Sequence, residues 1–584
     1  QYARIQSSSR NIYSEESYLV RNQVNLYNVY EPATGNVTVS KTGFAFPEGS
    51  AMDRSSTDFE SYVFRNQLQF DRRIAAGHNL MVMAGTEVSS SVSKTEQQVR
   101  ISGYDDERLT YGNQPLYGIT GGNRFFNASK LALSPGISWR SEYGDDRFFS
   151  LFGNFTYTYN NKYTLSGSVR TDASNLIVKD PKYRYAPFWS VGGRWAADRE
   201  DFLRNVEWID RLQFRTSYGA LGNVVTSTSI IPLISYSANP STYTQQHYAR
   251  IVDYGNPLLR WEKTKTFNFG IDYAFFDNKL AGKVDLYSKH STDVLAQVDI
   301  AGAYGVGYST KVNAAELMNR GIELEIGTRL PVTGSLNWRG RLLVSYNKNE
   351  ITRMDVFGYF PGGIVSASFV EGKPINPVYS YVYEGEVNGL PMVRFENGEK
   401  VEIFNIPAVP DARTFMPYEG TTVPTTTLGF NTGFDYKGFD LNAVFTGRFG
   451  HVFRADAPRY PLMNSAASSL ALLGKPMEEV VNGHSDKFPG LPPTTLGNQL
   501  SSYSLVQYFN TLVENASNVR LQEITLSYNL PNTLVNQWKL SGVRFYAQAS
   551  NVGIVWKATD TYYDPDFPRF KIPLSYLFGV NVTF

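Results

Sequence analysis

The last eleven residues of the chain, 574–584, alternate in polarity. All six even-numbered positions are large and apolar, and four of the five odd-numbered positions are small or polar. A β-strand with this period has one apolar face. Roughly 9 to 11 residues of tilted strand cross a bilayer, and they do so only within a closed barrel, because each unpaired backbone group in hydrocarbon costs several kcal/mol.

The terminal segment therefore predicts an all-β fold, an antiparallel transmembrane β-barrel that contains many more strands of the same kind. Its apolar face is also the predicted barrel-assembly signal. The side chains of that face are Tyr576, Phe578, Val580, Val582 and Phe584.

Fourteen other stretches have the same alternation, which gives about fifteen strands, or sixteen if residues 2–6 contribute one. The fifteen predicted strands are 59–73, 79–93, 148–159, 163–171, 187–196, 212–220, 262–275, 279–291, 318–330, 336–349, 426–436, 439–449, 519–529, 543–550 and 574–584. Residues 1–58 show only the end of a strand and a long polar loop, and residues 59–584 are the predicted barrel.

The connections between these strands alternate between short and long. Short ones, such as 277–278 and 437–438, are followed by long ones, such as 350–425 and 450–518. Outer-membrane barrels have short periplasmic turns and long extracellular loops, whereas a soluble sandwich has no reason to sort its loops in this way. The alternation therefore predicts an outer-membrane location with a periplasmic C-terminus. Two of the short connections, 197–211 and 531–542, are predicted to be partly helical.

Composition argues against several classes of protein. The 55 basic and 54 acidic residues nearly cancel, so charge gives no reason to expect a nucleic-acid partner. No apolar run approaches the roughly 18 residues of a helical membrane span. The chain has no cysteine, which excludes disulfides and cysteine-based chemistry. The residues that follow Gln1 do not have the charged and apolar regions of a secretory signal peptide, so we expect the chain to be a mature or truncated product.

The residues that carry catalysis or bind metals form no recognisable site. The five histidines are scattered, without the spacing of a zinc site or a catalytic triad, and the chain is predicted not to be an enzyme. Asp564 and Asp566 are weak candidates for a Ca²⁺ site in a long connection, because this cation takes carboxylate oxygens. No third acidic ligand follows at loop spacing, so an ordinary loop is the preferred interpretation.

Three further residues are candidates for polar or interfacial roles. Arg170 and Asp172 are two positions apart and so share one face of a strand. They line the barrel lumen or, in the preferred interpretation, form a structural ion pair. Trp261 opens a strand and is predicted to be an interfacial girdle residue, with substrate stacking as the alternative.

The long connections 350–425 and 450–518 are where external recognition is expected, because loops on a rigid scaffold carry binding. They are rich in aromatic residues, which suit sugar stacking, docking of another protein or simple loop packing. These residues include Tyr359, Phe360, Tyr379, Tyr381, Tyr383, Tyr460 and Phe488.

Several short motifs, in a consistent order from residue 59 to the C-terminus, resemble those of one family. The motifs are His78-Asn79-Leu80 with Gly85 and Glu87, Tyr159-Asn160-Asn161-Lys162-Tyr163, Arg170 with Asp172 and Ser174, Ser217-Tyr218-Gly219, Asn256-Pro257 with Leu259 and Trp261-Glu262, Asn319-Arg320-Gly321-Ile322-Glu323, Ser527-Tyr528 with Leu530-Pro531, and Tyr563-Asp564-Pro565. Together they resemble the SusC-like (RagA-like) TonB-dependent outer-membrane transporters of Bacteroidetes-type bacteria.

The resemblance implies properties that the strand pattern does not show. Such transporters have a 22-stranded barrel, an N-terminal plug domain on which TonB acts, and a SusD-like surface lipoprotein that covers the barrel and captures oligosaccharide or peptide. The plug and the first strands are not recognisable in this sequence, so we expect them to be missing from it.

The leading functional hypothesis is active import of large nutrients, oligosaccharides or oligopeptides, through a barrel in outer-membrane lipid. One alternative is a passive porin, because about sixteen strands can close around a water-filled channel. The other is a structural scaffold for a surface lipoprotein or a secretion complex. The sequence does not distinguish glycan from peptide.

Overall fold

A computed structural model gives the arrangement of the strands and turns of this chain. The described residues are 1–21, 29–30, 37–38, 49–112, 138–175, 186–223, 230–236, 241, 244–246, 248–253, 255–256, 258–299, 309–355, 358–388, 390–455, 505–560, 564–568 and 572–584. The chain forms two units, of which unit 1 is Gln1–Leu68, Ala84–Phe152 and Thr171–Leu176, and unit 2 is Gln69–Met83, Gly153–Arg170 and Ile177–Phe584.

Strands make up most of the described chain. In chain order they are β1 Tyr2–Tyr13, β2 Val29–Tyr30, β3 Val37–Thr38, β4 Ser50–Ala75, β5 His78–Asp105, β6 Thr110–Tyr111, β7 Ser138–Tyr159, β8 Tyr163–Ser174, β9 Ala186–Ala196, β10 Ile209–Asn223, β11 Leu233–Tyr236, β12 Ala249–Asp253, β13 Glu262–Phe275, β14 Leu280–Asp299, β15 Ser309–Thr333, β16 Leu336–Met354, β17 Pro377–Tyr379, β18 Tyr383–Val387, β19 Leu390–Arg394, β20 Lys400–Glu402, β21 Tyr418–Thr421, β22 Thr426–Tyr436, β23 Phe439–Phe449, β24 Val452–Arg454, β25 Val513–Asn515, β26 Asn518–Asn529, β27 Gly542–Lys557 and β28 Ser575–Thr583.

Helices are short. They are α1 Pro361–Ile364, α2 Asn532–Val535 and the 3₁₀ turns Ala197–Arg199, Glu396–Gly398, Ala412–Thr414, Asn510–Leu512 and Asn536–Trp538. The partly helical character of the connections 197–211 and 531–542 is thereby confirmed. Within the described chain, the helices are all too short or too polar to cross a membrane.

Unit 2 contains an uninterrupted series of eleven antiparallel strands. Each strand hydrogen-bonds to the next in the order β9, β10, β13, β14, β15, β16, β22, β23, β26, β27 and β28. All fifteen predicted strands are present, and the predicted alternation of short and long connections holds along the series. Several strands are longer than predicted at the end that leads into a long connection, as in β14 and β15, which pair as far as Asp299 and Ser309. At those ends the alternation is interrupted, because Val294 and Leu295 in β14, and Ala314 and Ala315 in β15, are consecutive apolar residues.

Unit 1 corrects the interpretation of residues 1–58. Its β1 is a full strand that pairs with β4 from Tyr2 opposite Tyr62 to Tyr13 opposite Ala51. The sequence of β1 is mostly polar, so alternation could not reveal it. Polar cross-strand contacts accompany the pairing, among them Arg4 to Asp58 at 2.8 Å.

The strands of unit 2 have one apolar and one polar face. The register places Phe434, Leu441, Leu526, Ala547 and Phe578 in one cross-strand row over β22 to β28. Phe578 is 75% exposed, and the other large side chains of this row are between 43% and 47% exposed. Apolar surface this extensive would be unfavourable in water, so lipid is its natural environment.

The adjacent register row on the other face is polar. Over β22 to β27 it consists of Gly433, Asn442, Thr525 and Gln548, and on β28 it ends at the apolar Leu577. On β28 the predicted assembly residues are exposed, from 39% for Val582 to 91% for Phe584. Their position is the one that a lipid-facing strand requires, while their role in assembly stays a prediction.

The long connection between β16 and β22 is a folded body rather than an open loop. We define the loop module as the described residues of 358–421 together with 505–512. Its small sheets, β17 with β21 and β18 with β19 and β20, surround an apolar core. The most deeply buried core residues come from both segments: Ile364, Val370, Tyr379, Tyr381, Val393, Ile403, Met416, Val506 and Phe509.

Arg454 ties the two segments of the loop module together. Its guanidinium donates hydrogen bonds to the carbonyl oxygens of Tyr379 at 2.9 Å and Phe509 at 3.1 Å. It also lies over the ring of Tyr508, 5.5 Å from its centre. Burial lowers the pKa of Arg454 to about 10, so the side chain is still a cation at neutral pH.

A close contact between neighbouring strands occurs at Gly321. Tyr287 lies directly opposite this glycine, and its ring occupies the space that a side chain would fill. A Cβ atom at Gly321 would also come within 2.6 Å of the backbone oxygen of Tyr346. At Gly334, in the turn between β15 and β16, a Cβ atom would meet nothing within 4 Å.

We expect Arg454→Met to loosen the loop module, because two buried carbonyl oxygens lose a charged donor, and such hydrogen bonds contribute about 1.5–3 kcal/mol each. Cleavage of the folded protein by thermolysin within 358–421 should accelerate at least about tenfold. Arg394→Met is the matched control, since Arg394 is half exposed and pairs with Glu384 at the module surface. Equal cleavage rates for the two variants would contradict the assigned role of Arg454.

We expect Gly321→Ala to destabilise the folded barrel by about 1–3 kcal/mol, because the added methyl group overpacks the contact with Tyr287 and Tyr346. The measurement is the urea midpoint of the folded fraction in detergent, scored by electrophoretic mobility without heating. Gly334→Ala should stay within about 0.5 kcal/mol of the parent protein. A similar shift for both variants would show that the contact at Gly321 is not tight.

Candidate functional site

The candidate site is the polar face of β10, β13, β14, β15 and β16 in unit 2. One cross-strand row of this face, the carboxylate row, contains Arg215, Gly270, Asp285, Glu323 and Ser345. Because strand side chains alternate, residues two positions along each strand form further rows on the same face.

A second row, the amide row, lies nearer the long connections. It contains Ser217, Asn268, Tyr287, Gly321 and Asn347. The Tyr287 hydroxyl donates to the Asn347 side-chain oxygen at 3.2 Å, and the Asn268 amide donates to the Ser217 hydroxyl at 3.3 Å. The row thus presents neutral donors and acceptors.

Two more asparagines extend the amide row. The Asn349 amide donates to the Asn319 side-chain oxygen at 2.7 Å, and the Asn347 amide does so at 3.4 Å. Half-buried amides of this type can exchange hydrogen bonds with a hydrated polar solute. Amide side chains are hydrogen-bond donors and acceptors, so the chemistry that they support is the binding of polar groups.

A third row, on the short-turn side, is the charged row. It contains Gln213, Asp272, Lys283, Glu325 and Leu343.

Ion pairs connect the charged and carboxylate rows. Arg215 contacts Asp285 at 2.6 Å and Asp272 at 2.9 Å. Glu325 contacts Arg341 at 2.5 Å and Lys283 at 3.9 Å. Pairs at such exposed positions contribute only about 0–1 kcal/mol each, so their main effect is to neutralise the face locally.

A separate ion cluster lies further along the polar face. Asp435 and Asp440 are directly opposite each other on β22 and β23, which would be unfavourable for two unshielded carboxylates. Arg339 contacts both of them, Asp435 through Nε at 3.1 Å and Asp440 through Nη2. One guanidinium therefore holds two strands together at this point.

The candidate calcium ligands have arginine partners. Arg520 contacts both Asp564 and Asp566, and Arg448 contacts Asp566 at 3.1 Å. Burial opposes ionisation of Asp566, but the two arginines lower its pKa overall. The described residues contain no group of three or more potential metal ligands. Calcium binding by Asp564 and Asp566 stays a prediction.

Trp261 occupies a different environment from the predicted one. Its side chain is 5% exposed and packs edge-on against Phe188, with ring centres 5.4 Å apart, beside the buried Leu259. A girdle residue would present its ring at an outer surface, so this burial corrects the prediction. Burial among apolar neighbours also leaves no open ring face for a substrate.

Arg170 and Asp172 both lie on β8, as predicted, and both are half-buried. A role of these residues in the lumen lining stays a prediction.

The aromatic residues of the long connections divide into two groups. Tyr359, Tyr379, Tyr381 and Tyr383 are all less than 10% exposed in the loop module, which favours loop packing over substrate stacking for these four. Phe360 is 48% exposed and is available to a partner or solute. Tyr460 and Phe488 lie outside the described residues.

The polar rows are not evident from the sequence pattern, because apolar positions define the strands in it. The signal was present, since alternate positions in 268–272 and 319–325 are mostly Asn, Gly, Asp or Glu. Which of these residues stand side by side depends on the register between strands, and a single strand does not contain that information.

Comparison with known proteins places this arrangement in a family. Residues 7–583 match the family model described as TonB dependent receptor-like, beta-barrel. TonB-dependent receptor P3 of Formosa agariphila is 26% identical over 518 residues, which are 83% of this chain and 47% of that protein. TonB-dependent receptor SusC of Bacteroides thetaiotaomicron is 25% identical over 481 residues, which are 74% of this chain and 43% of that protein.

A solved structure has the same fold. The RagAB peptide importer in its closed-closed state superposes with a TM-score of 0.71 at 21% identity, over 100% of this chain and 59% of that chain. The chain thus spans about half the length of the relatives that it matches. The predicted resemblance and the predicted antiparallel barrel are confirmed, and the chain belongs to the family of TonB-dependent receptor-like β-barrels.

Proposed function

We propose that this chain is the membrane barrel of an active importer in the bacterial outer membrane, which takes up large nutrients, oligosaccharides or oligopeptides. The observation that carries the proposal is the two-faced series of strands in unit 2. Its apolar face matches lipid, and its polar face, with the amide row, matches a water-filled passage for hydrated cargo. Membership in a family of TonB-dependent receptors supports transport rather than catalysis.

The proposed orientation has the long connections outside the cell and the C-terminus in the periplasm. Support comes from the alternation of connection lengths, which is the asymmetry of outer-membrane barrels. The loop module then lies on the extracellular side, where cargo first meets the protein.

The proposed partners are a SusD-like surface lipoprotein and TonB, the latter acting through a plug region outside these 584 residues. Similarity to SusC and to the RagAB importer supports both partners. The word peptide in the description of RagAB applies to that protein, and glycan and peptide are both retained as cargo for this one.

We expect uptake through the full-length gene product to depend on the proton motive force, because TonB transmits that energy. Uptake of labelled oligosaccharide and oligopeptide mixtures would be compared between expressing and deletion strains, with and without a protonophore. The protonophore should reduce the expression-dependent uptake to the level of the deletion strain. Unchanged uptake would support a passive channel and overturn the proposal.

We also expect the triple variant Asn319→Ala, Asn347→Ala, Asn349→Ala to slow uptake several-fold at an unchanged amount of folded barrel, because the cargo loses hydrogen-bond partners in the passage. The control is Asn405→Ala, which removes a side chain that donates a hydrogen bond to Glu402 on the loop module. Equal uptake by the triple variant and the control would exclude the amide row from cargo contact.

A further inference from the structure

We infer that Glu323 is a charge-selective residue of the passage, which favours neutral or cationic cargo and disfavours anionic cargo. The inference deepens the proposed function and depends on it. Glu323 lies in the carboxylate row, between the amide row and the charged row, where a solute that moves along the polar face has to pass.

The partners of the neighbouring carboxylates support this role. The carboxylate and charged rows contain four acidic side chains, all in the described part of the chain. Asp272 and Asp285 contact Arg215, and Glu325 contacts Arg341 and Lys283. Glu323 is exposed and is the one of the four with neither an ion pair nor a hydrogen bond.

The local charge balance points in the same direction. Arg215, Lys283 and Arg341 are already paired with the other three carboxylates. Arg194, directly opposite Arg215 on β9, is a fourth cation of the carboxylate row, and it lies four strands away from Glu323. Asp285 lies directly opposite Glu323 and adds a second negative charge, which the ion pair with Arg215 partly offsets.

The next cation of β14 towards the long connections on the same face is Lys289. Lys289 lies four residues beyond Asp285 on β14, about 13 Å along the strand. Its ammonium group is held over the Tyr287 ring, 4.9 Å from the ring centre. Its described contact is therefore with this ring and not with the Glu323 carboxylate.

The consequence for cargo follows from ordinary electrostatics. A carboxylate on the wall of a passage raises the local concentration of cations and lowers that of anions. The amide row beside Glu323 offers hydrogen bonds to hydroxyl and amide groups without regard to charge. Uncharged oligosaccharides and neutral or basic peptides therefore suit this wall, whereas sulfated or uronate-rich glycans and acidic peptides do not.

The absence of cysteine from the chain permits a direct test. Ser345, directly opposite Glu323, is replaced by cysteine, and the thiol is labelled with methanethiosulfonates that carry either a trimethylammonium or a sulfonate group. The cation-to-anion ratio of labelling rates is measured for the folded full-length gene product in membranes, corrected for labelling of the same protein without the introduced cysteine, and normalised to a free thiol. The same measurement is then made with Glu323→Gln, which keeps the size of the side chain.

Across about 5 Å of water, the charge of Glu323 should raise the labelling rate of the cationic reagent about threefold and lower that of the anionic reagent about threefold. Glu323→Gln should therefore lower the cation-to-anion ratio about tenfold. A cysteine at Asn442, on the polar face of β23, should keep its ratio. An unchanged ratio at position 345 would overturn the inference and leave the proposed function intact. Absence of labelling by both reagents at both positions of the folded protein would show that the polar face is not wet, and would overturn the proposed function as well.

Discussion

Backbone hydrogen bonding between antiparallel neighbours is the constraint on which the rest of unit 2 depends. From β10 to β27 every strand of the series is paired on both sides. The pairing fixes the register, and the register decides which side chains share a face. A shift of one residue in β22 would move Asp435 from the polar face to the apolar face, away from Arg339. The charged residues therefore specify the register as strictly as the apolar ones do.

The two faces contribute to the molecule in different ways. The apolar rows around Leu441 and Phe578 match the strands to lipid and supply little specificity beyond that match. The polar rows supply little stability, because exposed ion pairs such as Arg215 with Asp272 contribute no more than about 1 kcal/mol. Their value lies in the environment that they create for a solute. The same alternation in each strand thus produces both the apolar face and the polar face that the proposed passage uses.

Alternation in single strands was sufficient to find the barrel strands and to sort their connections. It failed at β1, where residues such as Ser7, Ser8 and Ser9 have no apolar partner in the sequence pattern. It also failed for Trp261, because a tryptophan at a strand end is equally suited to an outer surface and to a small core, and only the position of Phe188 separates the two. The polar rows and the loop module depend on contacts between distant residues, which no local pattern contains.

The loop module joins chain segments that are far apart in the sequence. The Tyr381 amide donates to the Tyr508 carbonyl at 3.0 Å, and the Tyr383 amide donates to the Asn510 side chain, 127 residues away, at 3.0 Å. The intervening chain includes β22 and β23, so closing this contact has a large entropic cost until that hairpin is in place. Backbone and side-chain hydrogen bonds thus fasten the two connections to each other. A displacement of one connection at this end of the strands has to carry the other with it or break these bonds.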